Sequence, residues 1–228
     1  MTRMLTPATP SLDLPVDATP VRDAAILYAR AGFAPVPVHG VHDTLEGPRC
    51  DCARAECSAP GKHPVGGNWQ KRAKADIDAA RDLFAGHSGN IGIVVGSRHV
   101  VIDIDDYAGG REGLATLPAM PATLTSRSGS GQGEHRIFAL AAGQDATEIT
   151  NRKVAQGVDV KVRAGQIVVA PSRHKSGNRY QWIDTTPPAP LPADLYEAIR
   201  KPRAVAFAVH QGGASAEQLH KRARAYLD

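Results

Sequence analysis

The sequence predicts an α/β fold of the α+β type, with mainly antiparallel sheets, helices outside and a small cysteine-containing loop inserted. Three observations carry this expectation. Short β-branched runs at 91–96, 99–105, 158–163 and 166–172 are separated by turn residues, and the second half of the chain reads as a meander. Helical periodicity is confined to short stretches at 19–31, at 76–84 and after 193. All three cysteines fall within eight residues, Cys50 to Cys57. An odd, clustered set argues against a disulfide framework and for a metal site.

Composition bounds the rest. A chain of 228 residues makes one large domain or one domain with an appendage. At 42% hydrophobic and 22% charged it is an ordinary globular composition, and with only 5% aromatics the core must rely on aliphatic side chains. A net charge of +4 is compatible with a nucleic-acid partner and proves none. No run reaches membrane-spanning length and no apolar stretch follows Met1, so no membrane partner and a cytoplasmic location are expected.

Taken in order, residues 1–18 are rich in Pro and Thr without periodicity and read as a flexible lead-in. A main domain is expected over 19–202 and a helical tail over 203–228. Thr19 and Pro20 look like a helix start, with Thr19 at the N-cap, and Gly32 closes that helix. Residues 33–39 form an extended edge segment, because Pro35 and Pro37 cannot donate to a ladder. The loop 49–64 brings together Cys50, Cys52, Cys57 and His63. Three thiols and an imidazole are the donors of a closed, structural zinc site, against the plain alternative of an exposed loop. Gly61 and Lys62 are no phosphate-binding P-loop, since the upstream Gly and following Ser or Thr are missing.

Asp76 is placed to cap the next helix. Residues 91–96 and 99–105 read as two strands joined at Ser97 and Arg98, a hairpin. A short helix is expected near Leu114. Residues 166–172 form a buried strand, and 180–183 return as another. A helix spans 194–201, and a last one starts at Ser215, with Gln218 completing a capping box. Its Lys221, Arg222 and Arg224 read as a solvated face.

The chemistry lies in two strands. Alternation points Val100, Ile102 and Ile104 one way and Val101, Asp103 and Asp105 the other. Val158, Val160 and Val162 likewise oppose Asp159, Lys161 and Arg163. If both strands lie in one sheet, three acids and two bases share a surface, a combination suited to a metal–triphosphate complex. Residues 125–135 form a Gly- and Ser-rich loop whose backbone can approach an anion, with Arg127, Ser128 and His135 as donors.

Together these stretches, over roughly residues 20–200, resemble the bifunctional primase–polymerase domain of the archaeo-eukaryotic primase superfamily. The resemblance rests on Asp103 and Asp105 ending a strand, on Gly133-Glu134-His135 behind the Ser/Gly loop, and on Val158-Asp159-Val160-Lys161. It closes with Pro171, Ser172, His174, Ser176, Gly177, Tyr180 and Trp182, and the Cys/His insertion is similar to a zinc element of some members. Gly133 stands where some relatives have Ser.

The resemblance implies an RRM-like catalytic core, with a second small sheet from the strands around His135 and Val168. It implies that Asp103, Asp105 and Asp159 hold two Mg²⁺ or Mn²⁺ ions. It assigns His135, Arg127, Ser128, Lys161, Ser172 and His174 to the phosphates of an NTP or dNTP. The implied function is DNA primase or polymerase activity on a single-stranded DNA template and primer, beside a separate helicase, in plasmid, phage or CRISPR-associated replication. Two other classes stay open: an inactive nucleic-acid-binding replication module, and a metal-dependent nuclease using the same acids.

Overall fold

The computed structural model describes residues 11–200, apart from 53 and 55. Helix α1 (Val21–Arg30) leads into strand β1 (Ala34–Val38), the hairpin β2 (Val41–Thr44) and β3 (Gly47–Cys50), and the short helices α2 (Trp69–Arg72) and α3 (Ile77–Leu83). Strands β4 (Asn90–Val94) and β5 (His99–Asp105) are followed by helix α4 (Gly110–Leu114) and strands β6 (Leu124–Arg127) and β7 (Gly133–Ala139). Then come β8 (Arg152–Ala155), β9 (Val158–Lys161), β10 (Gln166–Val168), β11 (Gln181–Asp184) and β12 (Ala189–Pro190), before helix α5 (Ala193–Ile199).

Two sheets carry the architecture. The smaller has order β1-β4-β10; the larger has order β11-β6-β7-β5-β9-β8, with β12 laid against β7. Among the described residues the strand pairings are antiparallel except that of β12 with β7. The expected α/β fold with mainly antiparallel sheets is therefore present.

Alternation along β5 divides the interior. Val100, Ile102 and Ile104 join Phe138, Val158, Val160 and the α5 residues Leu195 and Ile199 in one core. Val101 joins Leu124 and Ile137 in the other, where Ile91, Ile93 and Ile167 of the small sheet and Tyr28 and Phe84 also pack. The face of β5 turned to the small sheet is thus apolar at Val101 and carboxylate at Asp103 and Asp105. The core ends, and a cleft opens, within one step of the strand.

Several local expectations meet the structure directly. Asp76 caps α3, its carboxylate accepting from Ala79 N–H at 2.8 Å. Strand β1 is an edge of its sheet, as its prolines require. Thr19, however, is not the N-cap of α1; Pro20 holds that position, and the Thr19 hydroxyl accepts from Val16 N–H in the preceding turn. Of the lead-in, residues 11–18 form no regular element, yet Leu14 is buried and Leu12 N–H donates to Thr185 O at 2.8 Å. The helix expected from Ser215 lies outside the described residues.

Three pairings differ from expectation. β4 and β5 do not form a hairpin: β4 lies between β1 and β10, and β5 lies between β7 and β9. The strands around His135 and Val168 do not share a second sheet, because β7 belongs to the large sheet and β10 to the small one. The 166–172 run does turn back at 173–179, where Arg173 bridges Arg179 and Tyr180 N–H donates to Ser172 O at 3.0 Å, but β11 then pairs with β6 and not with β10. The reason is common to all three. β-branched and alternating runs announce strands, but a strand's own sequence shows little of which neighbour it takes, because pairing is decided by tertiary packing.

Candidate active site

The site is built on β5 and its two neighbours. Register sets His135 of β7 opposite Asp103, and Gly133 opposite Asp105. On the other side it sets Asp159 of β9 opposite Asp103, and Lys161 opposite Val101. Asp103 is the hub. Lys161 Nζ lies 2.9 Å from its Oδ2 and His135 Nε2 lies 3.4 Å from its Oδ1. Burial pushes the Asp103 carboxyl up, but the opposing charges of His135 and Lys161 outweigh it and hold the group well below the usual carboxylate range. The other nitrogen of His135, Nδ1, is buried without a hydrogen-bond partner among the described residues.

This depression fixes a pH dependence. A carboxylate whose folded pKa lies below its unfolded value of about 3.9 stabilises the fold at neutral pH. The contribution disappears as pH falls from that value through the folded one. Melting temperatures measured from about pH 6 down to about pH 2.5 are expected to fall less steeply below about pH 4 for Asp103→Asn than for the wild-type chain.

Above the carboxylates is a cleft of about 660 Å³, within the range of small-molecule sites. Asp103, Asp105 and Asp159 line one wall with Lys161 and His135; Lys62, Lys175, His174, Ser128 and Ser130 contribute cations and donors. Tyr107 stands at the rim, 70% exposed, with its phenol raised by the charge of Asp105. Tyr180 is buried beneath, near-parallel to the His135 ring at 6.4 Å, and burial raises its phenol strongly. Burial and the charges of Lys62 and Lys175 push the His174 imidazole down.

The Gly/Ser stretch is an ordered turn between β6 and β7. Ser128 N–H donates to Gly133 O at 2.8 Å and Gly131 N–H to Ser128 O at 2.9 Å. A second turn docks on it, with Ser176 Oγ donating to Gly129 O at 2.7 Å. Gly129 and Gly133 permit these approaches. A Cβ at Gly129 would lie 2.3 Å from His174 Cβ, and one at Gly133 would lie 2.9 Å from Ile104 O and 3.3 Å from Asp105 Oδ1. Serine at position 133 therefore overpacks this site, and Gly133→Ser is expected to cost about 1–3 kcal/mol, read as a lowered melting temperature.

The structure brings Asp103, Asp105, Asp159, His135, Ser128, Lys161 and His174 to one cleft. It places two residues of the expected set elsewhere. Ser172 is 1% exposed, its hydroxyl accepting from Ile91 N–H and donating to Ile91 O, both at 2.9 Å. Arg127 is exposed at the end of β6 and is not in the lining of the cleft. The cleft is also lined by Ser130 of the Ser/Gly loop and by Tyr180 of the closing run, by Lys62, which the sequence offers only as part of a failed P-loop, and by Tyr107, Gln166 and Lys175, for which the sequence gives no role. Tyr107 stands two residues after Asp105 and Lys175 directly after His174, and that adjacency is the available signal.

The loop after β3 gathers a second set. One donor atom each from Cys50, Cys52, Cys57 and His63 all lie within 4.8 Å of one another. His63 Nε2 is 3.3 Å from both Cys50 Sγ and Cys57 Sγ. Zinc bonds of about 2.3 Å to sulfur and about 2.0 Å to nitrogen give tetrahedral edges of roughly 3.5–3.8 Å. The cluster is compatible with a structural zinc. The backbone N–H of Arg54 lowers the Cys52 thiol, whereas burial raises that of Cys50, to which Gly61 N–H donates at 3.5 Å.

Among the described residues no helix is long and apolar enough to cross a membrane. No curated protein matches the chain. Residues 25–194 match the family described as bifunctional DNA primase/polymerase, N-terminal. That span is well over half of the 228 residues and includes every residue of the cleft and the Cys/His cluster, so the chain belongs to the bifunctional DNA primase/polymerase family.

Proposed function

We propose that the chain is a template-directed nucleotidyltransferase, extending a primer on single-stranded DNA and starting chains from nucleotides. The observation that carries this reading is the convergence of three carboxylates, Asp103, Asp105 and Asp159, with lysines and histidines around one cleft. Asp159 has no ion pair or hydrogen bond among the described residues, and Asp103 is held ionised, so hard oxygen donors are ready for divalent cations. Asp103, Asp105 and Asp159 would hold two Mg²⁺ or Mn²⁺ ions, which lower the pKa of a 3′-hydroxyl and neutralise departing pyrophosphate when bound.

The chain's own groups orient the reactants. Lys161 and His135 fix Asp103, and the ordered turn at 128–132 presents Ser128 and Ser130 to the phosphates. His174, partly desolvated, serves as a neutral donor at the same wall. Zn²⁺ in the Cys/His loop is structural. The protein is placed in the cytoplasm, beside a separate helicase, in plasmid, phage or CRISPR-associated replication.

The test is incubation of a labelled primer on a single-stranded template with Mg²⁺ or Mn²⁺, with ribo- and deoxyribonucleotides supplied separately. Growth of the primer supports the reading, and the sugar used defines the substrate. Shortening of the primer identifies a nuclease. A folded, zinc-loaded protein that binds template without changing the primer is an accessory binding module.

A further inference from the structure

Three lysines line the cleft, and only one is committed. Lys161 is paired with Asp103, whereas Lys62 and Lys175 have no carboxylate partner among the described residues. The cation that the strand pattern offers to a phosphate is thus taken up by an acid, and the free positive charge comes from elsewhere.

Lys62 comes from the Cys/His loop. Its neighbour His63 is one donor of the cluster, and its other neighbour, Gly61, donates its N–H to Cys50 Sγ. The backbone here is pinned on several sides. Gln166 Nε2 donates to Lys62 O at 2.6 Å, Asn90 Nδ2 to Gly61 O at 3.0 Å, and His39 N–H to His63 O at 3.0 Å. Asn90, only 4% exposed, also accepts from Arg173 N–H and donates to Arg173 O, so the loop and the His174 turn share one clamp. Gly61 has φ +72°, and a Cβ there would lie 2.5 Å from Val41 Cγ2, so this tight passage admits little else. The Lys62 head group remains exposed at the cleft beside His174.

We propose that Lys62 is a polyphosphate-binding cation of the cleft and that the metal-bound Cys/His loop sets its position, so that nucleoside triphosphate affinity depends on zinc in that loop. This rests on the nucleotidyl-transfer reading. The loop has two roles: its thiols and imidazole hold the metal, and the residue between two of its anchor points reaches the substrate. Gln166 is a positioning residue that acts through Lys62 O.

The experiment measures equilibrium binding of a fluorescent nucleoside triphosphate with Mn²⁺, and its displacement by inorganic tripolyphosphate, alongside zinc stoichiometry. Lys62→Ala is expected to weaken binding about tenfold, the scale of one charge-assisted contact, with zinc content unchanged. Lys62→Arg is expected to restore most of it. Gln166→Ala is expected to weaken binding about threefold alone and to add nothing to Lys62→Ala, the non-additivity of residues acting through one group. Wild-type protein stripped of zinc is expected to bind as weakly as Lys62→Ala, and stripping Lys62→Ala to weaken it no further. Equal binding by wild type and Lys62→Ala overturns the proposal while leaving nucleotidyl transfer standing. Zinc-stripped wild type that binds like the loaded protein overturns the coupling. A loaded wild type that binds no triphosphate overturns both this proposal and the reading beneath it.

Discussion

Asp103→Asn is expected to abolish primer extension, lowering kcat by on the order of 10³-fold or more, the loss typical when a charged element that stabilises the transition state is removed. Asp103 is the most connected acid of the cleft. It faces Asp159 across β5 and β9, contacts Lys161 at 2.9 Å and lies opposite His135. The amide keeps the volume but loses the charge, so neither a cation nor the Lys161 ammonium is held as before. The core face of β5, with Ile102 and Ile104, is not touched, so the substitution costs only the stability that the charged Asp103 contributes and the protein remains folded. The measurement is single-turnover extension at saturating nucleotide, with a melting curve as control. Extension within tenfold of wild type by a folded Asp103→Asn protein would place the chemistry elsewhere.

The second large effect concerns the Cys/His loop. Removing zinc by chelation, or replacing Cys57 by Ser, is expected to destabilise the protein by about 3–5 kcal/mol, or roughly 10 °C in melting temperature for a domain of this size. That is less than the whole binding energy of an isolated zinc finger, because other bonds hold the loop. His39 N–H to His63 O and Val65 N–H to Pro37 O tie it to β1. The loss should therefore be local: proteolysis concentrated within 49–64, and α1 and the small sheet retained. Metal analysis giving one zinc per chain before chelation and none after, together with the melting shift, checks it. An unchanged melting curve on zinc loss would show that the thiols are not structural.

How much of this was legible in the sequence depends on the range of the interaction. The alternation of Val100 to Asp105 and of Val158 to Lys161 is a property of a strand alone, and it correctly divides both strands into a core face and an acidic face. Their adjacency was conditional on a shared sheet, and the register supplies it. Strand partners were not legible, because β4 and β10 carry the same aliphatic run whichever sheet they enter. Ser172 shows a second limit. A serine after proline looks the same whether its hydroxyl meets a phosphate or the backbone of Ile91. Lys161 shows a third, since a base beside acids can be spent on them. Lys62 is legible only from the fold of its loop, because nothing local links a residue before His63 to a cleft built from β5, β7, β9 and β10.

The division of β5 also determines how this protein can change over time. A single inserted or deleted residue within residues 99–105 exchanges the two faces of the strand. Ile102 or Ile104 would then face the cleft, and a carboxylate would enter the aliphatic interior beside Phe138 and Val160. The carboxylate cleft and the core fail together, so one-residue insertions and deletions there are disfavoured on both counts. Changes of length are borne by surface connections instead, which carry no such alternation to invert.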